Sequence, residues 1–286
     1  MLLVFTFQVA CQNKFLTLLF NFHQRFKAFK MKNTIIVFLL IFSTKLFAQT
    51  EKFYQINGVE RKALFFEPKI NSEKFPVVFV FHGHGGNAKH ASRNLNFHQN
   101  FPEALVIYMQ GIPGVTNPIV DKEGKYNGWQ MNPDELQNRD VKFFDEVFSQ
   151  ISKNYNLDLT RIYAVGHSNG SRFVNVLWKM RGENFAAFVT VAGPGGIWLK
   201  SAQQKSVWIS FGKNDKIVPY KIQKFSSKQY LKFFEANEST AQTNGEITSY
   251  QTSENKEIII EDRNAGHEFP QNSIPKMVEF LKINHR

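Results

Sequence analysis

Apolar positions in this chain fall into short continuous runs, separated by longer stretches where they recur every three or four residues. The runs at 77–82, 104–109, 161–166, 186–191, 206–211 and 257–261 are rich in Val, Ile and Phe. Runs this short and this apolar read as strands buried on both faces. The intervening stretches have helical spacing. In 140–151, for example, Val141, Phe144, Val147, Phe148 and Ile151 share one face, with Asp140 as the expected N-cap. Strands alternating with helices predict a mostly parallel sheet covered on both faces, an α/β architecture. Ahead of it, 53–56 and 60–66 flank Asn57-Gly58, the signature of a tight hairpin that should form an antiparallel N-terminal edge.

Two stretches fit neither pattern. Residues 110–135 are rich in Gly, Pro and Asn and carry Tyr126 and Trp129, which makes this loop a candidate pocket wall. Residues 237–256 are polar and Thr/Asn-rich, and read as a surface excursion rather than a lid. There are no internal repeats and no linker composition, so 49–286 is expected to be one domain.

Candidate chemistry clusters at the ends of the apolar runs. Gly166-His167-Ser168-Asn169-Gly170 lies between the run at 161–165 and the helical stretch that begins at Ser171. Strand, sharp turn and helix with a serine at the tip form a nucleophile elbow, which needs glycine where a Cβ would strike the neighbouring strand or helix. A serine hydroxyl needs a general base, and the base needs an orienting group. On this arrangement they follow in the order acid, then histidine. Asp215 follows the run 207–211 in the turn Gly212-Lys213-Asn214-Asp215, and His267 follows 257–261 in Asn264-Ala265-Gly266-His267. The one other histidine after Asp215 is His285, at the chain end. The expected oxyanion donors are the backbone N–H of Asn169 and one from His82-Gly83-His84-Gly85-Gly86, with Gly83, His84 and Gly85 as candidates. His167, Tyr126 and Trp129 are candidate substrate contacts. A metal reading of His82, His84, His90 and His98 has no recognised ligand spacing to support it. Neither a metal nor a cofactor is expected.

With these residues placed, the chain resembles the secreted α/β-hydrolase esterases related to polyhydroxybutyrate depolymerase and to feruloyl and acetylxylan esterases. The resemblance rests on 82–87, Arg139-Asp140, 161–170, 185–193, 211–220 and 265–270. Four positions depart from that group: Ser171 stands where a glycine is usual, Phe211 where a histidine is frequent, and Ala265 and Phe269 replace Gly and Trp. The resemblance implies the α/β-hydrolase fold and a serine esterase acting on carboxylic esters, either polyhydroxyalkanoate oligomers or feruloyl or acetyl esters. A serine peptidase of the same fold, or an inactive polysaccharide- or polyester-binding module, are the alternatives.

The N-terminus changes the charge picture. Residues 31–48 have a basic start, an apolar core at 35–42 and a small residue, Ala48, at the expected cut, which is the layout of a signal peptide. Residues 1–30 are read as an extension ahead of the natural start. Setting 1–48 aside removes six Lys/Arg and no Asp/Glu, so the formal charge falls from +11 to +5. No basic stripe with interleaved aromatics remains, which argues against nucleic-acid binding. The apolar core at 35–42 is too short to span a bilayer, so no stable membrane anchor is expected. The single cysteine, Cys11, also lies in the extension. The expected product is a secreted or periplasmic enzyme without disulfides, whose partner is a small or oligomeric ester.

Overall fold

The computed structural model describes residues 49–70, 72–118 and 121–286. The expected extension and signal peptide lie outside the described residues. Twelve strands are present among those described. Ten of them form one sheet: β1 (Thr50–Ile56), β2 (Val59–Phe66), β3 (Phe75–Phe81), β4 (Leu105–Met109), β7 (Leu157–His167), β8 (Ala187–Val191), β9 (Ser206–Gly212), β10 (Ala236–Asn244), β11 (Ile247–Thr252) and β12 (Glu257–Arg263). Two short strands, β5 (Ile112–Pro113) and β6 (Asn127–Gly128), pair separately.

The strand order is β1-β2-β4-β3-β7-β8-β9-β12-β11-β10. The six central strands, β4 to β12 in that order, run parallel. Both edges are antiparallel hairpins. The N-terminal hairpin turns at Asn57 and Gly58 with φ 52° and 77°, the left-handed pair a two-residue turn requires. The C-terminal edge corrects the reading of 237–256, because that polar stretch supplies most of β10 and all of β11. β10 is polar and mostly exposed, and β11 is half-buried with its two large apolar residues, Ile247 and Tyr250, on opposite faces, so neither shows the apolar alternation that marks a strand.

Helices α1 (Ala88–Asn94), α2 (Phe97–Asn100) and α6 (Ile274–Ile283) cover one face of the sheet. Helices α3 (Arg139–Asn154), α4 (Asn169–Arg181) and α5 (Tyr220–Phe233) cover the other. Alternate residues of β3 serve the two layers: Phe79 and Phe81 join Phe144, Phe173 and Phe188 on one side, while Val78 and Val80 join Tyr163, Trp208 and Leu281 on the other. This is the alternation a parallel sheet buried on both faces demands.

Asp140 has a different role from the cap expected of it. It is the second residue of α3, and its carboxylate points into the protein. There it accepts from Arg61 Nη2 at 2.8 Å and from the Gln130 amide at 2.8 Å. The Arg61 and Asp140 side chains are 1% and 0% exposed. The pair ties the N-terminal edge hairpin to α3 and to the loop ahead of it. Replacing Arg61 with alanine leaves a carboxylate uncompensated in the interior, so a loss of about 3–5 kcal/mol is expected in urea unfolding. A loss below about 1 kcal/mol would show that Arg139, 3.7 Å from Asp140, carries the compensation.

Candidate active site

The loops after β3, β7, β9 and β12 all leave the carboxyl ends of parallel strands, where ligands bind in open α/β sheets. Ser168 is the residue between β7 and α4. Its backbone has φ 56° and ψ −117°, a strained conformation for a residue with a side chain. The surrounding atoms show why the flanking glycines are needed. A Cβ on Gly166 would sit 2.4 Å from the Gly170 carbonyl oxygen, and one on Gly170 would sit 2.3 Å from that of Phe81. The Ser168 amide is held by the Val191 carbonyl at 2.7 Å.

The structure brings the three expected polar residues into one hydrogen-bonded line. His267 Nε2 lies 2.8 Å from Ser168 Oγ, and its Nδ1 lies 2.7 Å from Asp215 Oδ2. The Asp215 side chain is fully enclosed. Its Oδ1 accepts from the Ile217 and Val218 amides at 2.8 and 2.9 Å, and Oδ2 accepts from Gln223 Nε2 at 2.9 Å. Burial works against its ionisation, but the hydrogen bonds from His267 and from the Val218 and Ile217 amides outweigh burial and hold the carboxyl below its usual pKa. The ionised acid fixes the proton of a neutral His267 on Nδ1 and leaves Nε2 free to accept from the serine.

The acid and histidine loops are joined directly. Lys213 N–H donates to the Arg263 carbonyl and Asn214 N–H to that of Ala265, at 2.8 and 2.9 Å. Arg263 braces the far side, donating to Ser210 Oγ and to the Glu268 carbonyl. This contact requires Gly212, because a Cβ there would meet the Gly266 and Ala265 carbonyl oxygens at 2.1 and 2.3 Å. Gly212→Ala must therefore push the two loops apart. A displacement of about 1 Å at the imidazole is expected to lower kcat roughly 100-fold. Steady-state kinetics beside a melting curve would separate that effect from unfolding.

Of the candidate donors in the loop after β3, Gly85 is corrected. Its N–H donates to the Asn127 carbonyl at 2.7 Å, and the Gly86 N–H is taken by the Gly83 carbonyl. Gly83, His84 and the Asn169 backbone remain as candidates. A Cβ on Gly83 would lie 3.4 Å from Ser168 Cβ, so this backbone packs directly against the serine. The Asn169 side chain is used elsewhere: it accepts from and donates to the backbone of Trp129, at 2.8 and 3.0 Å.

Trp129 is not a pocket residue. It is fully buried, stacks on Phe173 at 5.3 Å, and donates from Nε1 to the His82 carbonyl at 2.9 Å. It anchors the 110–135 loop to the core. Tyr126 is 62% exposed and does not line the cavity; its ring meets that of His84 edge-on. His167 does line the cavity. Its Nε2 lies 2.7 Å from the His267 carbonyl oxygen. Since a carbonyl only accepts, Nε2 carries the proton, and His167 steadies the loop that presents His267.

The other histidines are spread through the fold. His82 is buried; its Nε2 accepts from the Gly111 amide, and its Nδ1 donates to the Gly83 carbonyl. His98 stacks on Phe66 and bonds Tyr108, while His90 bonds Asn94. Among the described residues, no three His, Cys, Asp or Glu side chains are grouped to hold a metal.

Burial pushes His82, His98 and His167 down to about 4. An unfolded histidine titrates near 6.5. Between these values the unfolded chain binds more protons than the folded one, so stability falls as pH drops from about 6.5 to about 4. Urea unfolding across this window is expected to report uptake of about three protons on unfolding. A flat profile would mean that all three histidines accept protons while folded.

Ser168 and His267 open onto a cavity of about 860 Å³, within the size range of small-molecule sites. Its walls include the apolar residues Leu95, Met131, Pro194, Ile217, Ile222 and Phe269. The sequence carries no signal for Gln223, which lies eight residues beyond the acid it holds, in the first turn of α5, or for Arg172 and Ile222, which look like ordinary helix-surface residues.

The parallel sheet covered on both faces, its antiparallel edges and the serine turn after β7 define an α/β-hydrolase fold. The acetyl xylan esterase (AXE1) family profile matches residues 44–176, and over that stretch the chain is related to acetyl xylan esterases. It is 22% identical over 166 residues to a bifunctional acetylxylan esterase/xylanase of Neocallimastix patriciarum, covering 57% of this chain and 22% of that protein. The chain thus spans about a fifth of the length of that relative. Among solved structures, an acetyl xylan esterase from Aspergillus awamori superposes with a TM-score of 0.64 at 13% identity, covering 82% of this chain and 99% of that one. A carboxylesterase from Bacillus cereus superposes with a TM-score of 0.54 at 20% identity, covering 78% and 94%. These structural likenesses establish the fold. No helix among the described residues is long and apolar enough to cross a membrane.

Proposed function

We propose that this protein is a serine esterase that hydrolyses carboxylic esters through an acyl-enzyme, with Ser168 as nucleophile, His267 as base and Asp215 as orienting acid. The observation that carries this reading is the continuous relay from Ser168 Oγ through His267 to Asp215, opening onto the cavity. His267 Nε2 takes the hydroxyl proton as Ser168 attacks the ester carbonyl. Asp215 stabilises the imidazolium that forms. Negative charge on the carbonyl oxygen is met by the Asn169 amide and by an amide of Gly83 or His84. His267 then protonates the leaving alcohol, and afterwards activates the water that releases the acid.

The family match favours acetyl esters on xylan-type polysaccharide. Feruloyl esters and polyhydroxyalkanoate oligomers are further substrates of the same chemistry. Export through residues 31–48 belongs to the same proposal and would place the enzyme where such polymers occur. The test is hydrolysis of p-nitrophenyl esters from acetate to octanoate, beside acetylated xylan. Turnover that favours short acyl chains and releases acetate from xylan supports the reading. Turnover of peptide substrates with none of the esters would replace it with a peptidase.

A further inference from the structure

Arg172 stands one helical turn beyond Ser168, its amide bonded to the Ser168 carbonyl at 3.1 Å. Residues four apart share a helix face, and long helical side chains lean back toward the N-terminus. Arg172 lines the same cavity as Ser168 and His267. Its guanidinium is only thinly supported by the protein. Nε donates to the Met131 carbonyl at 3.1 Å, and Nη2 reaches Asn132 Oδ1 at 3.5 Å.

No carboxylate pairs with Arg172 among the described residues. Glu135 is the acid whose charge it feels, but the Glu135 oxygens are taken by the amides of Asn117, Met131 and Asn132. Burial lowers the pKa of Arg172, so its charge is partly desolvated without a full partner. Charges held this way are costly unless something completes them. The cavity offers no acid to do so. Its one carboxylate, Glu268, is 62% exposed, accepts from the Gly266 amide and faces Arg263. The cavity's other ionisable side chains are His82, His84, His90, His167 and His267.

We propose that Arg172 forms an anion subsite for a carboxylate on the non-reacting part of the ester. A planar guanidinium fork fits a carboxylate with two parallel hydrogen bonds. The proposal rests on the esterase reading of the same cavity. It adds that the preferred substrates are esters that carry an acid group, on either the alcohol or the acyl side, beside the bond that is cut.

The experiment compares matched charged and neutral esters. 4-Acetoxybenzoate against methyl 4-acetoxybenzoate places the charge on the alcohol. Mono-(4-nitrophenyl) adipate against 4-nitrophenyl hexanoate places it on the acyl group. The wild-type protein is expected to prefer the charged member of at least one pair about 10-fold or more in kcat/KM, mostly through KM. Arg172→Gln is expected to bring that ratio to about one, and Arg172→Lys to an intermediate value. Ratios near one for both pairs in the wild type overturn the proposal and leave the esterase standing. A preference that survives Arg172→Gln overturns it too, by placing the anion elsewhere. If no ester is turned over, the esterase reading fails. Calorimetric binding of the two acetoxybenzoates to the Ser168→Ala protein then decides the subsite: tighter binding of the carboxylate that is lost with Arg172→Gln sustains it, and equal binding refutes it.

Discussion

Ser168→Ala is expected to lower kcat for ester hydrolysis by roughly 10⁶-fold, the scale seen when a nucleophile that acts together with its base is deleted. The residual rate would come from the oxyanion amides and from substrate binding, which alanine leaves in place. The fold should survive the change, because Ser168 holds its position through backbone contacts. Its amide bonds the Val191 carbonyl, and its carbonyl accepts from Arg172. The close approaches at Gly166 and Gly170 are also untouched. Ser168→Gly adds a second readout. At φ 56° a residue with a Cβ is strained by about 1–3 kcal/mol, so the glycine variant should be inactive yet more stable than the wild type. Equal melting temperatures for the alanine and glycine variants would show that the turn is not strained, and activity retained in both would remove Ser168 from the chemistry.

How much of this was legible before the fold was known depended on what each residue touches. Ser168, Asp215 and His267 sit in short motifs that directly follow apolar strands, so strand and motif could be read together. The central sheet was legible because strands buried on both faces must be apolar throughout. Strands β10 and β11 were not, because β10 is mostly exposed and the two large apolar residues of β11, Ile247 and Tyr250, lie on opposite faces, so neither carries an alternation. Trp129 was misread because a Gly/Pro/Asn-rich loop suggests exposure. The ring is in fact driven into the core against Phe173, and the Trp129 backbone is held by the Asn169 side chain, a contact between segments 40 residues apart. Asp140 followed the same logic. Its place at the start of a helix suggested a cap, whereas its partner Arg61 lies 79 residues back, on the edge hairpin. Gln223 left no local signal, since a glutamine in the first turn of a helix reads as an ordinary polar residue, although it lies only eight residues beyond Asp215.

Asp215→Asn is the second large effect expected, a loss of about 10⁴-fold in kcat with little change in fold. Four hydrogen bonds surround the carboxylate. Oδ1 accepts two backbone amides, from Ile217 and Val218. An asparagine would therefore keep its oxygen there and turn its NH₂ toward His267 and Gln223. That NH₂ can only donate, so the facing His267 Nδ1 must accept and the proton moves to Nε2. Nε2 then points a hydrogen at Ser168 Oγ and can no longer take the serine's proton. The imidazolium also loses its counter-charge. Two measurements separate this account from simple loss of structure. The rate of the variant should rise with hydroxide across the alkaline range, because hydroxide can replace the missing base, whereas the wild-type rate, which has its base in place, should not. Fluorophosphonate labelling of Ser168 should slow in proportion to kcat. A variant that labels at the wild-type rate would show that Asp215 does not set the state of His267, and would leave Glu268, the carboxylate in the cavity wall, as the group to test.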